Sequence, residues 1–189
     1  MVGLLGGSFD PIHHGHLLTG VVLGERLGLR EVRFVPARVQ PFKTGHGAAV
    51  EHRVRMVELA VADYPCLAVE RAEVERPGPS FTVDTLRELR AREPDENWVL
   101  LVGADMAGEF GKWKEAEAIR SLAQVVFFSR AGSTPPSVPG TEYVEVPAVD
   151  ISATGIRTRV RAGRSIRYWV PDAVADYIAA HRLFAGTDG

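Results

Sequence analysis

An apolar opening, Val2–Leu5, runs directly into Gly6-Gly7-Ser8-Phe9-Asp10-Pro11-Ile12-His13-His14-Gly15-His16, and a helical pattern begins at Leu17. This order constrains the fold more than any other stretch. It reads as a strand, a tight turn and a helix, the first crossover of an α/β sheet. Two glycines let the backbone lie close to a ligand. Asp10-Pro11 is a turn signal, and the residue before a proline is biased away from helix. The helix is expected to start near Gly15 or His16. Free backbone N–H groups and the positive end of the helix dipole gather at such a start and favour a phosphate. His13 and His16 are three residues apart, so both rings can reach one anion.

The remaining pattern fits this beginning. Strand-like and helix-like segments alternate, which predicts a Rossmann-like, doubly wound, mostly parallel sheet. Strands are expected at Val32–Val35, Leu67–Val69, Trp98–Val102, Val125–Phe128 and Tyr143–Val146. Helices are expected at Leu17–Leu27 with Gly28 at its end, over Val50, Val54, Val57 and Val61, and at Thr82–Arg92. Short helical stretches surround Phe110 and Trp113 and run to Leu122. Pro36–Ala49, Glu73–Ser80 and Ala131–Gly140 read as loops. Trp98–Val102 is the most apolar run, so it is placed centrally, with both faces covered. From Ser152 the chain is helical again, ending in a helix over Pro171–His181 and a frayed tail after Phe184. Residues 1–189 therefore read as one domain with a small helical portion at about 152–184.

Charge and cysteine content narrow the function classes. The formal net charge is −2, which argues against a nucleic-acid surface and makes any anion site a local pocket. The only cysteine, Cys66, excludes an internal disulfide or a Cys-based zinc site and is expected in the core. Neither a signal-type segment nor a membrane-spanning run is evident, so the expected setting is cytoplasmic and soluble. Two familiar nucleotide folds are excluded. Gly6-Gly7 lacks the G-x-G-x-x-G spacing of a dinucleotide fingerprint, and no G-x-x-x-x-G-K-[ST] is present.

Further stretches carry chemistry. In Ile151-Ser152-Ala153-Thr154-Gly155-Ile156-Arg157, Ser152 is a natural N-cap. The same hydroxyls, with the planar fork of Arg157, also make an anion clamp. Lys43 follows the second strand, where a loop overhangs the strand ends that bind ligands in open α/β sheets. Ser80 or Thr82 is expected to cap the helix that follows, and that helix start also suits a carboxylate. Trp113 is flanked by Lys112 and Lys114, two of the chain's three lysines. Asp105 follows Gly103 behind the apolar strand and is a candidate cap.

Gly7-Ser8-Phe9-Asp10-Pro11 with His13-His14-Gly15-His16 resembles the nucleotidyltransferase superfamily that carries an H-x-G-H signature. The later stretches resemble the bacterial nicotinate-nucleotide adenylyltransferases over nearly the whole length. Ile151–Arg157 matches the family's I-S-[AS]-T-x-[IV]-R, which binds the β- and γ-phosphates of ATP. Pro79–Leu86 resembles P-S-Y-T-x-x-T-L, which sits at the pyridine carboxylate. Trp113 matches the aromatic that stacks on the nicotinate ring, and Gly103-Ala104-Asp105 the G-x-D near adenine and ribose. Two departures stand out: Gln40 and Phe42 replace the proline and histidine of P-P-H-[KR], and Lys114 replaces an aromatic.

The resemblance implies adenylyl transfer from ATP to nicotinate mononucleotide, in NAD biosynthesis, with Mg²⁺ carried by ATP rather than held by the chain. It implies that Gly6, Gly7, Ser8, Phe9, His13, His16, Gly103, Asp105, Ile151, Ser152, Thr154 and Arg157 bind ATP. Ser8, Lys43, Ser80, Phe81, Thr82, Trp113 and Arg130 would bind the acceptor. His13, His16, Lys43 and Arg157 would be catalytic. Phosphopantetheine and nicotinamide mononucleotide are rival acceptors, and a non-catalytic nucleotide sensor is the rival of another class. No nucleic-acid or membrane partner is expected, and a homo-oligomer is left open.

Overall fold

The computed structural model describes residues 1–39, 47–130 and 141–186. Among them is a six-stranded sheet: β1 (Val2–Gly7), β2 (Glu31–Pro36), β3 (Leu67–Val69), β4 (Trp98–Gly103), β5 (Gln124–Arg130) and β6 (Glu142–Val146). The strand order is β3-β2-β1-β4-β5-β6, and every neighbouring pair is parallel. Parallel neighbours require long crossovers. These are supplied by α1 (His14–Arg26), α2 (Val50–Val61), α3 (Ala72–Glu75), α4 (Thr82–Arg92) and α5 (Ala116–Leu122); α6 (Ala153–Arg161) and α7 (Asp172–Ala180) follow the last strand.

Period-two alternation along the strands feeds two cores. Leu5, Phe34, Leu101 and Val126 face one side, with Leu23 of α1, Met56 and Val57 of α2, Ile156 of α6 and Ile178 of α7. Leu4, Val35, Leu100 and Val125 face the other, with Val83, Leu86 and Leu89 of α4 and Ile119 of α5. A doubly covered sheet explains the unbroken apolar run at Trp98–Val102, all of which is buried.

The order in which strands are added reverses between β1 and β4. The first three strands build outward from β1, and the chain then returns to add β4 on its other side. That switch point opens a crevice at the carboxyl ends of the strands, where Gly7 and Gly103 end β1 and β4.

Several boundaries differ from the sequence expectation. Strand β1 runs on through Gly6 and Gly7, which continue the ladder with Val35 and Pro36. Helix α1 starts at His14, ahead of Gly15, and ends as expected, with Gly28 in the left-handed region at φ +59. Helix α3 takes the first three residues of the expected Glu73–Ser80 loop, and its Ala72 N–H donates to the Glu70 carboxylate. Cys66 is exposed rather than buried. It precedes β3, its backbone carbonyl accepts the Val32 N–H, and burial begins only at Leu67. The expected loop over 131–140 and the last three residues of the tail lie outside the described residues. No described helix is long and apolar enough to cross a membrane.

Candidate active site

The turn after β1 is built around Phe9. Its backbone sits in the left-handed region at φ +48, a strained choice for a bulky residue and one found at functional turns. Its ring is buried, 2% exposed, and lies over Gly7, where an added Cβ would meet it at 2.8 Å. Only glycine permits that approach. The Phe9 ring in turn packs edge-on against His16, with centroids 5.1 Å apart.

His13 is the N-cap residue of α1 and makes no side-chain cap bond. Its ring is stacked on that of His16, with centroids 3.7 Å apart and planes 23° off parallel. The glycine of H-x-G-H makes this stack possible, because a Cβ at position 15 would stand 3.0 Å from His13 Nδ1. The two imidazoles are thus one unit at the helix start. One expected donor there is already engaged, since His14 N–H donates to the Trp169 carbonyl at 3.1 Å.

The Ile151–Arg157 stretch lies against this unit. The Ile151 carbonyl is 3.7 Å from the position a Cβ on Gly15 would take. Arg157 Nη1 donates to the Asp10 carbonyl at 2.7 Å, and Nη2 donates to Thr154 Oγ1 at 3.2 Å. A guanidinium carries more N–H donors than these two bonds use. Ser152 caps α6, accepting the Gly155 N–H at 3.1 Å, and stays exposed with Thr154. Histidine pair and hydroxyl–arginine clasp therefore share one corner, above β1.

Two residues outside the sequence reading of the site hold this corner together. Asp10 caps no helix; its carboxylate accepts the N–H of Gly47 at 2.6 Å and of Ala48 at 3.0 Å, ahead of α2. It also stands 3.9 Å from Arg157 Nη1. Arg53 is 1% exposed. Its guanidinium donates to the Ser8 carbonyl at 2.7 Å and the Arg38 carbonyl at 3.3 Å. Burial lowers its pKa, opposed by the charges of Asp10 and Glu51. Arg53 had a readable signal: it falls in helical phase with Val50, Val54 and Val57, a charge on an apolar face.

On the other face of the sheet, Ala37 N–H donates to the Gly7 carbonyl at 3.0 Å, and the next residue, Arg38, donates its N–H to Ser80 Oγ at 2.9 Å. The start of α4 is thereby tied to the end of β1. Neither Ser80 nor Thr82 caps that helix: Phe81 is the N-cap residue, with no side-chain cap bond. Phe81 and Trp113 pack against the same core. The Trp113 ring lies 5.3 Å from that of Phe110. Lys114 Nζ stands 4.8 Å over the Phe81 ring and pairs with Asp84. Lys112 pairs with Glu109, so neither flanking lysine presents an unbalanced charge.

Gly103-Ala104-Asp105 lies at the carboxyl end of β4, across the switch point from Gly7. Asp105 is exposed inside a short 3₁₀ turn, Ala104–Met106, and makes no cap bond there. Its Oδ1 lies 2.5 Å from where a Cβ on Gly103 would stand. Lys43 lies outside the described residues. Arg130 ends β5. Among the described residues no group of three or more His, Cys, Asp or Glu could hold a metal ion. The Asp10 carboxylate, at this corner, is engaged by two backbone N–H groups. The corner offers donors for phosphate oxygens, which suits a nucleotide that brings its own hydrated Mg²⁺.

A cytidylyltransferase-like family model matches residues 4–159. A Thermus thermophilus protein named probable nicotinate-nucleotide adenylyltransferase is 46% identical over 188 residues, covering 97% of this chain and 98% of its own. A Paenarthrobacter aurescens protein of the same name is 43% identical over 185 residues, covering 96% and 89%. The fold is similar to that of a Plasmodium falciparum nicotinic acid mononucleotide adenylyltransferase solved with NaAD, at a TM-score of 0.79, 18% identity and coverage of 97% and 96%.

Proposed function

The chain belongs to the cytidylyltransferase-like family, among relatives named nicotinate-nucleotide adenylyltransferase, and we propose that it transfers the adenylyl group of ATP to nicotinate mononucleotide. The products are nicotinic acid adenine dinucleotide, on the route to NAD, and pyrophosphate. One observation supports the reading above the others: Arg157 reaches the Asp10 carbonyl at 2.7 Å, which brings the hydroxyl–arginine clasp beside the turn that carries the imidazole pair.

The chemistry needs little from the chain beyond position and charge. A phosphate oxygen of the acceptor, anionic at neutral pH, forms a bond to the α-phosphorus of ATP. The bond from that phosphorus to the oxygen bridging to the β-phosphate breaks, and its electron pair leaves with pyrophosphate. No general base is required. His13 and His16 donate to the phosphates in this reading. Ser152, Thr154 and Arg157 hold the departing β- and γ-phosphates, and Lys43 neutralises charge. Gly103 and Asp105 lie on the adenine and ribose side. Ser80, Phe81, Thr82 and Trp113 receive the pyridine ring and its carboxylate. Mg²⁺ bound to ATP supplies further neutralisation of phosphate charge.

The test incubates the protein with ATP, Mg²⁺ and, separately, nicotinate mononucleotide, nicotinamide mononucleotide or phosphopantetheine, and measures pyrophosphate and the adenylylated product. Nicotinate mononucleotide is expected to give both at the highest kcat/KM. Preferential use of phosphopantetheine, or nucleotide binding without turnover, overturns the reading.

A further inference from the structure

The segment between α6 and α7 has no part in the chemistry above. Gly163, in the left-handed region at φ +63, turns the chain out of α6. Ile166 and Val170 then anchor the segment in the core that holds Leu23 of α1 and Ile156 of α6. Between these anchors Trp169 N–H donates to the Ile166 carbonyl at 3.1 Å. Trp169 reaches two helix starts. Its carbonyl accepts the N–H of His14, the first residue of α1, at 3.1 Å. Its ring lies under Arg159 of α6, whose Cζ stands 4.8 Å from the ring centre. Ring atom Cζ3 is 3.8 Å from where a Cβ on Gly155 would stand, and Gly155 N–H is the donor that Ser152 caps. Arg159 is itself fixed, since its Nε donates to the Ser165 carbonyl at 2.8 Å. One residue therefore holds the imidazole end of the corner by its backbone and the clasp end by its side chain.

We propose that Trp169 is a positioning residue for ATP. Its carbonyl fixes the start of α1 and its ring fixes the start of α6, and so it sets the spacing between the imidazole pair and the clasp. It acts through these two helices and not by contact with the nucleotide. This rests on the reading of His13, His16, Ser152, Thr154 and Arg157 as phosphate-binding groups. An aromatic ring suits the place because its flat face takes the Arg159 guanidinium while its edge packs on Gly155. A small side chain at 169 keeps the carbonyl but loses both contacts. The segment is then free to shift, and the His14 bond shifts with it. Displacement of a donor by a fraction of its bond length is enough to weaken its hold on a phosphate oxygen.

The test makes Trp169→Ala, Trp169→Phe, Arg159→Met and the Trp169→Ala/Arg159→Met double variant in the full chain. Each substrate is varied at saturating partner, and melting is followed in parallel. Trp169→Ala is expected to raise KM for ATP about tenfold. The KM for nicotinate mononucleotide should stay within about twofold. Trp169→Phe, which keeps a ring under Arg159, should recover most of the loss. Arg159→Met should raise KM for ATP about threefold, and should cost less in the Trp169→Ala background than alone, because Arg159 acts in part through the ring. A purely structural role would lower the active fraction, and with it kcat, while leaving both KM values unchanged. Arg159→Met alters a part-exposed side chain and keeps the proposal testable where Trp169→Ala fails to fold. An unchanged KM for ATP in Trp169→Ala or Arg159→Met, or an equal loss in Trp169→Phe and Trp169→Ala, overturns the proposal while wild-type turnover preserves the function reading. Absence of wild-type turnover with this acceptor overturns both.

Discussion

The Arg157 guanidinium crosses a separation of 147 residues to donate to the Asp10 carbonyl at 2.7 Å, while the Asp10 carboxylate grips the Gly47 and Ala48 N–H groups. Three distant stretches meet at one aspartate. In the proposed reading these bonds within the chain hold the phosphate clasp in place, which lowers the ordering cost of binding. Arg157→Lys keeps a cation and loses the planar fork. It is expected to lose about a hundredfold in kcat/KM. Its melting temperature should fall only slightly, because the bond to Asp10 is one part-exposed contact. Steady-state kinetics beside a thermal melt check this, and a fully active Lys variant would refute the clasp.

His16 shares its stacking contact with His13 and its edge contact with Phe9. If it donates to phosphate in the transition state, His16→Ala should cost on the order of a hundredfold in turnover. The folded far-UV signature should remain. Near-wild-type turnover in the purified variant would remove His16 from the mechanism.

Much of this was legible from the residues. The strand–turn–helix at the first crossover, the buried run at Trp98–Val102 and the cap at Ser152 rest on local rules of period, turn chemistry and capping, and the structure keeps all three. Long-range bonds were not legible. Asp10 reads locally as a turn residue, yet its carboxylate accepts from Gly47 and Ala48. Glu73 sits in what reads as a loop, and its short helix is held by Glu70 rather than by any periodicity. Cys66 reads as core because it adjoins an apolar run, but the turn before β3 points it outward. Spacing along the chain does not encode which backbone N–H a carboxylate will find.

Arg53 gives a sharper test of preorganisation. It is buried and donates to two carbonyls from different crossovers, Ser8 and Arg38. Arg53→Met keeps much of the volume and leaves those carbonyls without these donors, which should cost about 1–3 kcal/mol of stability. Arg53→Lys should rescue little, since one ammonium does not reproduce the fork. Urea unfolding measures the loss. Both variants should also turn over more slowly even where fully folded, because Ser8 leads into the turn that carries the histidines. Wild-type stability in Arg53→Met would show that the two carbonyls find other donors.

Acid stability should depend on an ion cluster far from this corner. Arg33 on β2 pairs bidentately with Glu93 at the end of α4, at 2.7 and 2.9 Å, and also contacts Glu31 and Glu70. Its Cζ lies 5.2 Å over the Trp98 ring. The hydrogen bonds from Arg33 hold the Glu93 carboxyl below its ordinary value, against a smaller opposing effect of burial. A carboxyl whose pKa is depressed by folding contributes stability above its unfolded value, and that contribution is lost as pH falls through the folded value. The loss should therefore begin near the ordinary glutamate pKa of about 4.3 and grow below it. Glu93→Gln removes the titration. Between about pH 5 and pH 3 the wild-type unfolding midpoint in urea should drop more steeply than that of the Gln variant. At neutral pH the Gln variant should be the less stable of the two, because a neutral amide replaces the carboxylate in the bidentate pair. Parallel midpoint-against-pH curves for the two proteins would refute the assignment of this acid sensitivity to Glu93.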